Sequence, residues 1–322
     1  MLPRIERKGH TFSVRRMQTH DGPGMRTTIF LKGCSLRCAW CHNPEAISSV
    51  REVWWHADKC IACQDCITAC PKNALELAAE GMRIDRELCN GCYRCVNACP
   101  AKAMEALRED WSIDELMREI EKDSMFYITG GGGITVSGGE PLSQWRFTRD
   151  LLQRCQQKGI HTAIDTCGHG SAEAIEALLP HCKLILFDLK IADPKMHTQW
   201  TGDDNARILD NLHITARHVR QRDDLQLWIR TPLIPSVTAT EENITGLAHI
   251  IDAEFNDTIS RWELCTFNPL CANKYHQLHR VWPFEHAPLM SHSEAQALHQ
   301  TATTQCRLNK AQIILSGRTR KG

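Results

Sequence analysis

The sequence predicts an α/β fold: an open, partial (β/α)6 parallel barrel of six strand–helix units, with a small cysteine-rich insertion near its start. Three observations lead there. From about residue 106 onward, apolar runs ending in a polar residue or glycine alternate with amphipathic stretches; near-continuous apolar strands joined by helices indicate a parallel sheet covered by helices. Two tight cysteine runs break that rhythm between residues 53 and 105. The chain has 322 residues, 42% of them hydrophobic, enough to bury a sizeable core. Six units fall short of a closed barrel. The expected organisation is 1–52 as the first part of the barrel, 53–105 as the insertion and 106–322 as the remainder.

Residues 12–50 read as a strand pair, the turn Asp21-Gly22-Pro23-Gly24, and a loop after the apolar run Thr27–Leu31. That loop carries Cys34, Cys38 and Cys41, spaced C-x3-C-x2-C. Soft thiolates select iron–sulfur clusters, zinc or copper(I). A structural zinc site would want a fourth ligand and be closed, whereas three cysteines on a 4Fe–4S cube leave one iron open for chemistry.

The insertion holds Cys60-x2-Cys63-x2-Cys66-x3-Cys70-Pro71 and, further on, Cys89-x2-Cys92-x2-Cys95-x3-Cys99-Pro100. Each matches the bacterial ferredoxin run, in which the fourth cysteine serves the other cluster. One cluster would take Cys60, Cys63, Cys66 and Cys99, the other Cys89, Cys92, Cys95 and Cys70. Crossed ligation stitches together a small ferredoxin-like α+β domain.

In the second half, Ser112-Ile113-Asp114-Glu115 is a capping box opening a helix with Ile113, Leu116, Met117 and Ile120 on one face. Strand-like runs follow at 133–137, 161–165, 184–188, 225–230 and 262–267, with helical stretches such as 144–158 and 171–179 between them. In parallel barrels the working residues sit at the C-terminal strand ends. There stand Gly138-Gly139-Glu140-Pro141, Asp165-Thr166, Asp188-Leu189-Lys190, Arg230 and, on the last run, Asn268. Asp165 and Asp188 could share a hard cation or simply cap helices. The Gly130–Gly133 run lacks the Gly-Lys-Ser/Thr of a phosphate loop.

Composition narrows the function. Thirty-eight basic residues offset 38 acidic ones, which argues against a general nucleic-acid or membrane-surface role. No apolar run is long enough to span a bilayer, and the start shows no export signal. Seventeen cysteines in such a chain read as metal ligands in a cytoplasmic protein. Cys155, Cys167, Cys182, Cys265, Cys271 and Cys306 lack ligand spacing and read as core or free thiols.

Taken together, Asp21-Gly-Pro-Gly-Met-Arg26, the Cys34/Cys38/Cys41 loop with Trp40, His42 and Asn43, Ser137-Gly-Gly-Glu140, Asp165-Thr-Cys-Gly168 and Phe187-Asp-Leu-Lys190 resemble the glycyl-radical enzyme activating enzymes of the radical S-adenosylmethionine (SAM) superfamily. The resemblance spans essentially the whole chain, the ferredoxin segment marking a subgroup. It implies that an electron from the Cys34/Cys38/Cys41 cluster cleaves SAM to a 5′-deoxyadenosyl radical, which takes a hydrogen atom from a backbone glycine of a partner glycyl-radical enzyme. Three [4Fe–4S] clusters, SAM, a monovalent cation at Asp165, Thr166 and Asp188, and an electron donor such as flavodoxin or ferredoxin are implied with it. So are the roles of Trp40, Cys41 and His42 along the SAM, of Gly138, Gly139 and Glu140 at its amino end, of Asp188, Leu189 and Lys190 at its carboxylate, and of Arg230 in the same cavity. Asn268 stands where the family often has His, and Cys167 where the relative has Asn. The alternatives are a radical SAM enzyme acting on a small molecule and an iron–sulfur electron carrier.

Overall fold

The structure, a computed structural model, describes residues 7–320. The stretch Met1–Glu6, part of the start read as lacking an export signal, lies outside them. A nine-stranded sheet forms the frame. In chain order its strands are β1 (Gly9–Gln18), β2 (Arg26–Leu31), β3 (Glu109–Trp111), β4 (Gly133–Gly138), β5 (His161–Thr166), β6 (Leu184–Asp188), β7 (Gln226–Leu233), β8 (Ile259–Thr266) and β9 (Ile313–Ser316). Their spatial order is β9-β8-β7-β6-β5-β4-β2-β1-β3. The seven strands from β9 through β2 run parallel, and β1 pairs antiparallel to both β2 and β3. Six of the seven are the expected units. The seventh, β9, has only four residues, half-exposed for most of its length, and therefore carries no apolar run that stands out. The sheet does not close on itself.

The helices between and after these strands are α1 (Ile113–Glu121), α2 (Ser124–Gly130), α3 (Trp145–Gln157), α4 (Ala172–Leu178), α5 (Pro194–Thr201), α6 (Ala206–Arg220), α7 (Glu241–Glu254), α8 (Ala272–Gln277) and α9 (His292–Gln305). The capping box at Ser112 and Glu115 is formed, satisfying orphan donors of the first turn of α1. Leu116, Met117 and Ile120 face the main core with Leu151, Leu152, Ile175 and Leu178, so each helix is held by its apolar stripe. Among the described residues no helix is long and apolar enough to cross a membrane.

Residues 53–106 build two small hairpin-like sheets, Val53–Trp55 with Met104–Ala106 and Leu75–Ala78 with Gly81–Ile84. They carry their own apolar cluster of Val53, Leu75, Met82, Ile84 and Met104 among buried cysteines.

Candidate active site

The C-terminal strand ends meet a cavity of about 890 Å³ running down the barrel lumen. Cys34, Cys38 and Cys41 stand on its wall with Trp40 and His42. The loop bearing them has no regular structure, and remote segments hold its backbone. Cys34 N–H donates to Ile47 O (3.1 Å), Arg37 N–H to Thr201 O (2.7 Å) and Ala39 N–H to Trp200 O (3.0 Å). Lys274 donates to His42 O and to Glu45 Oε1, and the Tyr275 hydroxyl donates to Cys41 O at 2.9 Å. Nothing in the sequence pattern marks Lys274 or Tyr275 as supports of this loop, since the pairing exists only in the folded chain.

Burial pushes the Cys38 thiol up to about 12 and Cys41 further in the same direction. These two thiols are costly to ionise alone, and a bound cation or cluster removes that penalty. Among the described residues no three His, Cys, Asp or Glu side chains converge closely enough to share a single metal ion. A set of three cysteines suits an iron–sulfur cluster, whose cysteines each take a different iron.

Gly139 shows why the turn after β4 must be glycine. Its N–H donates to Leu31 O (2.7 Å), and a Cβ there would lie 2.3 Å from Gly33 O, inside the backbone that launches the cysteine loop. Gly138 and Gly139 both line the cavity. Glu140 does not. Its side chain is wholly buried, and its carboxylate accepts from Leu142 N–H (2.9 Å), the Thr166 hydroxyl (2.6 Å), Cys167 N–H (2.8 Å) and the Cys167 thiol (2.9 Å). Four donors surround it because burial raises its pKa and each bond opposes that rise. In this structure the Glu140 carboxylate ties the β4 turn to the end of β5.

Thr166 and Leu189 are likewise engaged within the fold. The Thr166 hydroxyl donates to Glu140 (2.6 Å) and accepts from Gly168 N–H (2.9 Å). The Leu189 side chain is 1% exposed and packs in the main core; only its neighbours Asp188 and Lys190 reach the cavity. Conversely, Cys167 and Cys265, read as packed or free thiols, stand on the cavity wall. Cys167 beside it lowers the Cys34 pKa against the effect of burial.

The middle of the cavity is charged. Lys190 pairs with Asp188; burial disfavours its charge, but Asp188 and the neighbouring thiols outweigh that and raise its pKa. Asp165 accepts from the Ser137 hydroxyl (2.7 Å) and faces Arg230 at 3.5 Å. Burial, with Asp188 and Asp21 nearby, pushes Asp165 up to about 6 against the pull of Arg230. The Arg230 Nε also faces Glu263 Oε2 at 3.4 Å, a charge pair without a well-directed hydrogen bond. Asn268 lines the cavity, its Oδ1 accepting from Leu270 N–H (3.2 Å). At the far end Arg261 lies over the Trp228 ring, 3.7 Å from its centre.

Two smaller pockets lie in the 53–106 segment. One is ringed by Cys60, Cys63, Cys66 and Cys99, the other by Cys70, Cys89, Cys92 and Cys95. In each, three cysteines come from one run and the fourth from the other, as the crossed ligation requires.

A three-thiol loop at the C-terminal ends of an open parallel barrel, beside a glycine turn and a Lys–Asp pair, defines a radical SAM enzyme. Residues 87–248 match the family model described as the radical SAM superfamily, residues 59–103 that of a 4Fe-4S dicluster domain, and residues 20–75 that of a 4Fe-4S single cluster domain. The chain is 39% identical to the isethionate sulfite-lyase activating enzyme of Oleidesulfovibrio alaskensis, over 85% of this chain and 88% of that one. It is 40% identical to the trans-4-hydroxy-L-proline dehydratase activating enzyme of Clostridioides difficile, over 72% and 76%. A radical SAM methyltransferase from Sphaerobacter thermophilus shares the fold, with a TM-score of 0.51 and 12% identity over 94% of this chain and 76% of that one. The chain belongs to the glycyl-radical enzyme activating enzymes, which use a SAM-derived 5′-deoxyadenosyl radical to abstract a hydrogen atom from a glycine of a partner enzyme.

Proposed function

We propose that this chain activates a glycyl-radical lyase or dehydratase through three [4Fe–4S] clusters, with the barrel cavity as the place where SAM and the partner's glycine meet. The observation that carries this is the single cavity uniting the Cys34, Cys38 and Cys41 thiols with Gly139, Lys190, Asp188 and Arg230. Cys34, Cys38 and Cys41 would hold the SAM-binding cluster. Cys60, Cys63, Cys66 and Cys99 would hold a second, and Cys89, Cys92, Cys95 and Cys70 a third, within a domain spanning 53–105. Bound together, the first cluster and SAM supply one-electron cleavage of the sulfonium and the radical that abstracts hydrogen.

The chain's own share is orientation and exclusion of water. The backbone at Gly138 and Gly139 accepts the amino end of SAM, and Lys190 pairs with its carboxylate as it now pairs with Asp188. Asp165 and Asp188 frame a place for a monovalent cation beside that carboxylate, Arg230 stands next to Asp165, and Trp40, His42 and Asn268 line the remainder. The eight cysteines of the 53–105 domain would hold clusters that could either relay an electron from a donor such as reduced flavodoxin or ferredoxin or serve the fold alone.

The test uses anaerobically reconstituted protein, dithionite, SAM and candidate partners, read by electron paramagnetic resonance and by deoxyadenosine yield. A glycyl doublet that needs the partner and disappears in Cys38→Ala is expected. Deoxyadenosine production driven by a metabolite, without any glycyl signal across the candidates, would replace the partner protein by a small substrate.

A further inference from the structure

The short helix α2 buries one side and leaves the other uncovered. Tyr127 is the buried side, its hydroxyl donating to Thr27 Oγ1 at 2.6 Å. Met125, Phe126 and Ile128 are 68%, 41% and 78% exposed. Met125 and Ile128, one helical turn apart, share a face. Met17 adds to them: the register shift between Arg15 and Gln18 places it at φ 59°, a conformation that costs a non-glycine residue strain, with its side chain 45% exposed. The adjacent Arg16 pairs with Asp123, just before α2, which brings the bulge beside the helix. Isolated apolar side chains are ordinary on a surface, but a contiguous group marks an interaction site.

The patch adjoins the cavity. Gly24 has φ 67°, and a Cβ on it would lie 2.4 Å from Gly130 O and 2.6 Å from Gly132 N, so the Asp21–Gly24 turn rests on the end of α2. That turn and the residues before it supply Thr19, His20 and Gly22 to the cavity wall. A loop threaded into a cavity offers little area, whereas specific protein pairs bury roughly 800 Å² per partner.

We propose that Met17, Met125, Phe126 and Ile128 form a docking face for the folded body of the glycyl-radical enzyme, seated while its glycine loop enters the cavity alongside. The proposal rests on the reading that the partner's glycine reaches this cavity.

Two variants test it, M125E/I128E and the conservative M125L/I128V, against a glycyl-radical enzyme that the wild type activates. That enzyme is chosen from the sulfite-lyase and dehydratase kinds whose activators resemble this chain. With dithionite as reductant, the expected result for M125E/I128E is a half-saturating partner concentration raised about tenfold or more. The maximal rate of radical installation, deoxyadenosine formation without partner, and activation of a synthetic peptide bearing the partner's glycine loop should match wild type, as should every readout for M125L/I128V. Unchanged dependence on partner concentration would overturn the proposal. So would loss of partner-free deoxyadenosine formation, which would put these residues in the fold of the site. A wild-type dimer that M125E/I128E dissolves would give the face to a second copy of the chain. If no candidate acquires a radical with wild type, the reading beneath the proposal falls, and the proposal with it.

Discussion

Replacing Glu140 by Gln separates a ligand contact from a structural tie. The carboxylate accepts two donors on each oxygen, Leu142 N–H and the Thr166 hydroxyl on Oε1, Cys167 N–H and the Cys167 thiol on Oε2. An amide keeps one accepting oxygen and presents NH2 donors to the other pair. The hydroxyl or thiol can rotate away, but a backbone N–H cannot. Bonds to a charged acceptor are worth about 1.5–3 kcal/mol, and a stranded buried donor costs about 1–3 kcal/mol. The loss should come to about 3 kcal/mol. For 322 residues the unfolding entropy is roughly 0.7 kcal/mol/K, so the melting temperature should fall by about 4 °C. Anaerobic calorimetry of reconstituted protein measures this, with SAM affinity by equilibrium dialysis. Glu140→Gln melting like wild type while failing to bind SAM would refute the reasoning and make the carboxylate a direct contact.

Further outcomes follow from the same geometry. Lys190→Ala should weaken SAM binding by roughly tenfold or more at unchanged iron content, checked by equilibrium dialysis and iron analysis. Crossed ligation predicts that Cys99→Ser with Cys60→Ser loses about four irons, no more than either alone, while Cys99→Ser with Cys89→Ser loses about eight; iron and sulfide analysis decides it. Burial and the neighbouring Arg26 lower the His161 pKa from 6.5 to about 4. Between those values the unfolded chain binds a proton that the folded chain refuses, so stability should fall as pH drops from 6.5 to about 4, by at most about 3 kcal/mol. Denaturant unfolding across that range should show the slope, and His161→Gln should flatten it. Gly139→Ala, whose Cβ meets backbone at 2.3 Å, should impair assembly of the Cys34/Cys38/Cys41 cluster, seen as lost visible absorbance.

The parallel strands β2 and β4–β7 were legible because they are largely buried on both faces and so read as apolar runs; Leu184–Phe187 is an example. The short edge strands β3 and β9 pair on one side only and lack that signature. At the site, spacing pointed to the eleven cysteines of the three loops, since ligand geometry fixes spacing in the chain. It could not say where Glu140 points, because a glutamate after two glycines has the same sequence whether it faces a ligand or the backbone of Cys167. Nor could it place Cys265, whose position on the cavity wall follows from the twist of β8.

The loop of Cys34, Cys38 and Cys41 is secured by Lys274, which lies 232 residues beyond His42, and by the backbone of Trp200 and Thr201. During synthesis those anchors leave the ribosome long after the loop does, whereas the crossed cysteines of the 53–106 segment can all meet early. Maturation is thus ordered by the chain itself. The eight cysteines of the 53–106 segment can come together while the chain is still short, whereas the Cys34/Cys38/Cys41 loop gains its full set of anchors only once nearly all of the barrel has been made.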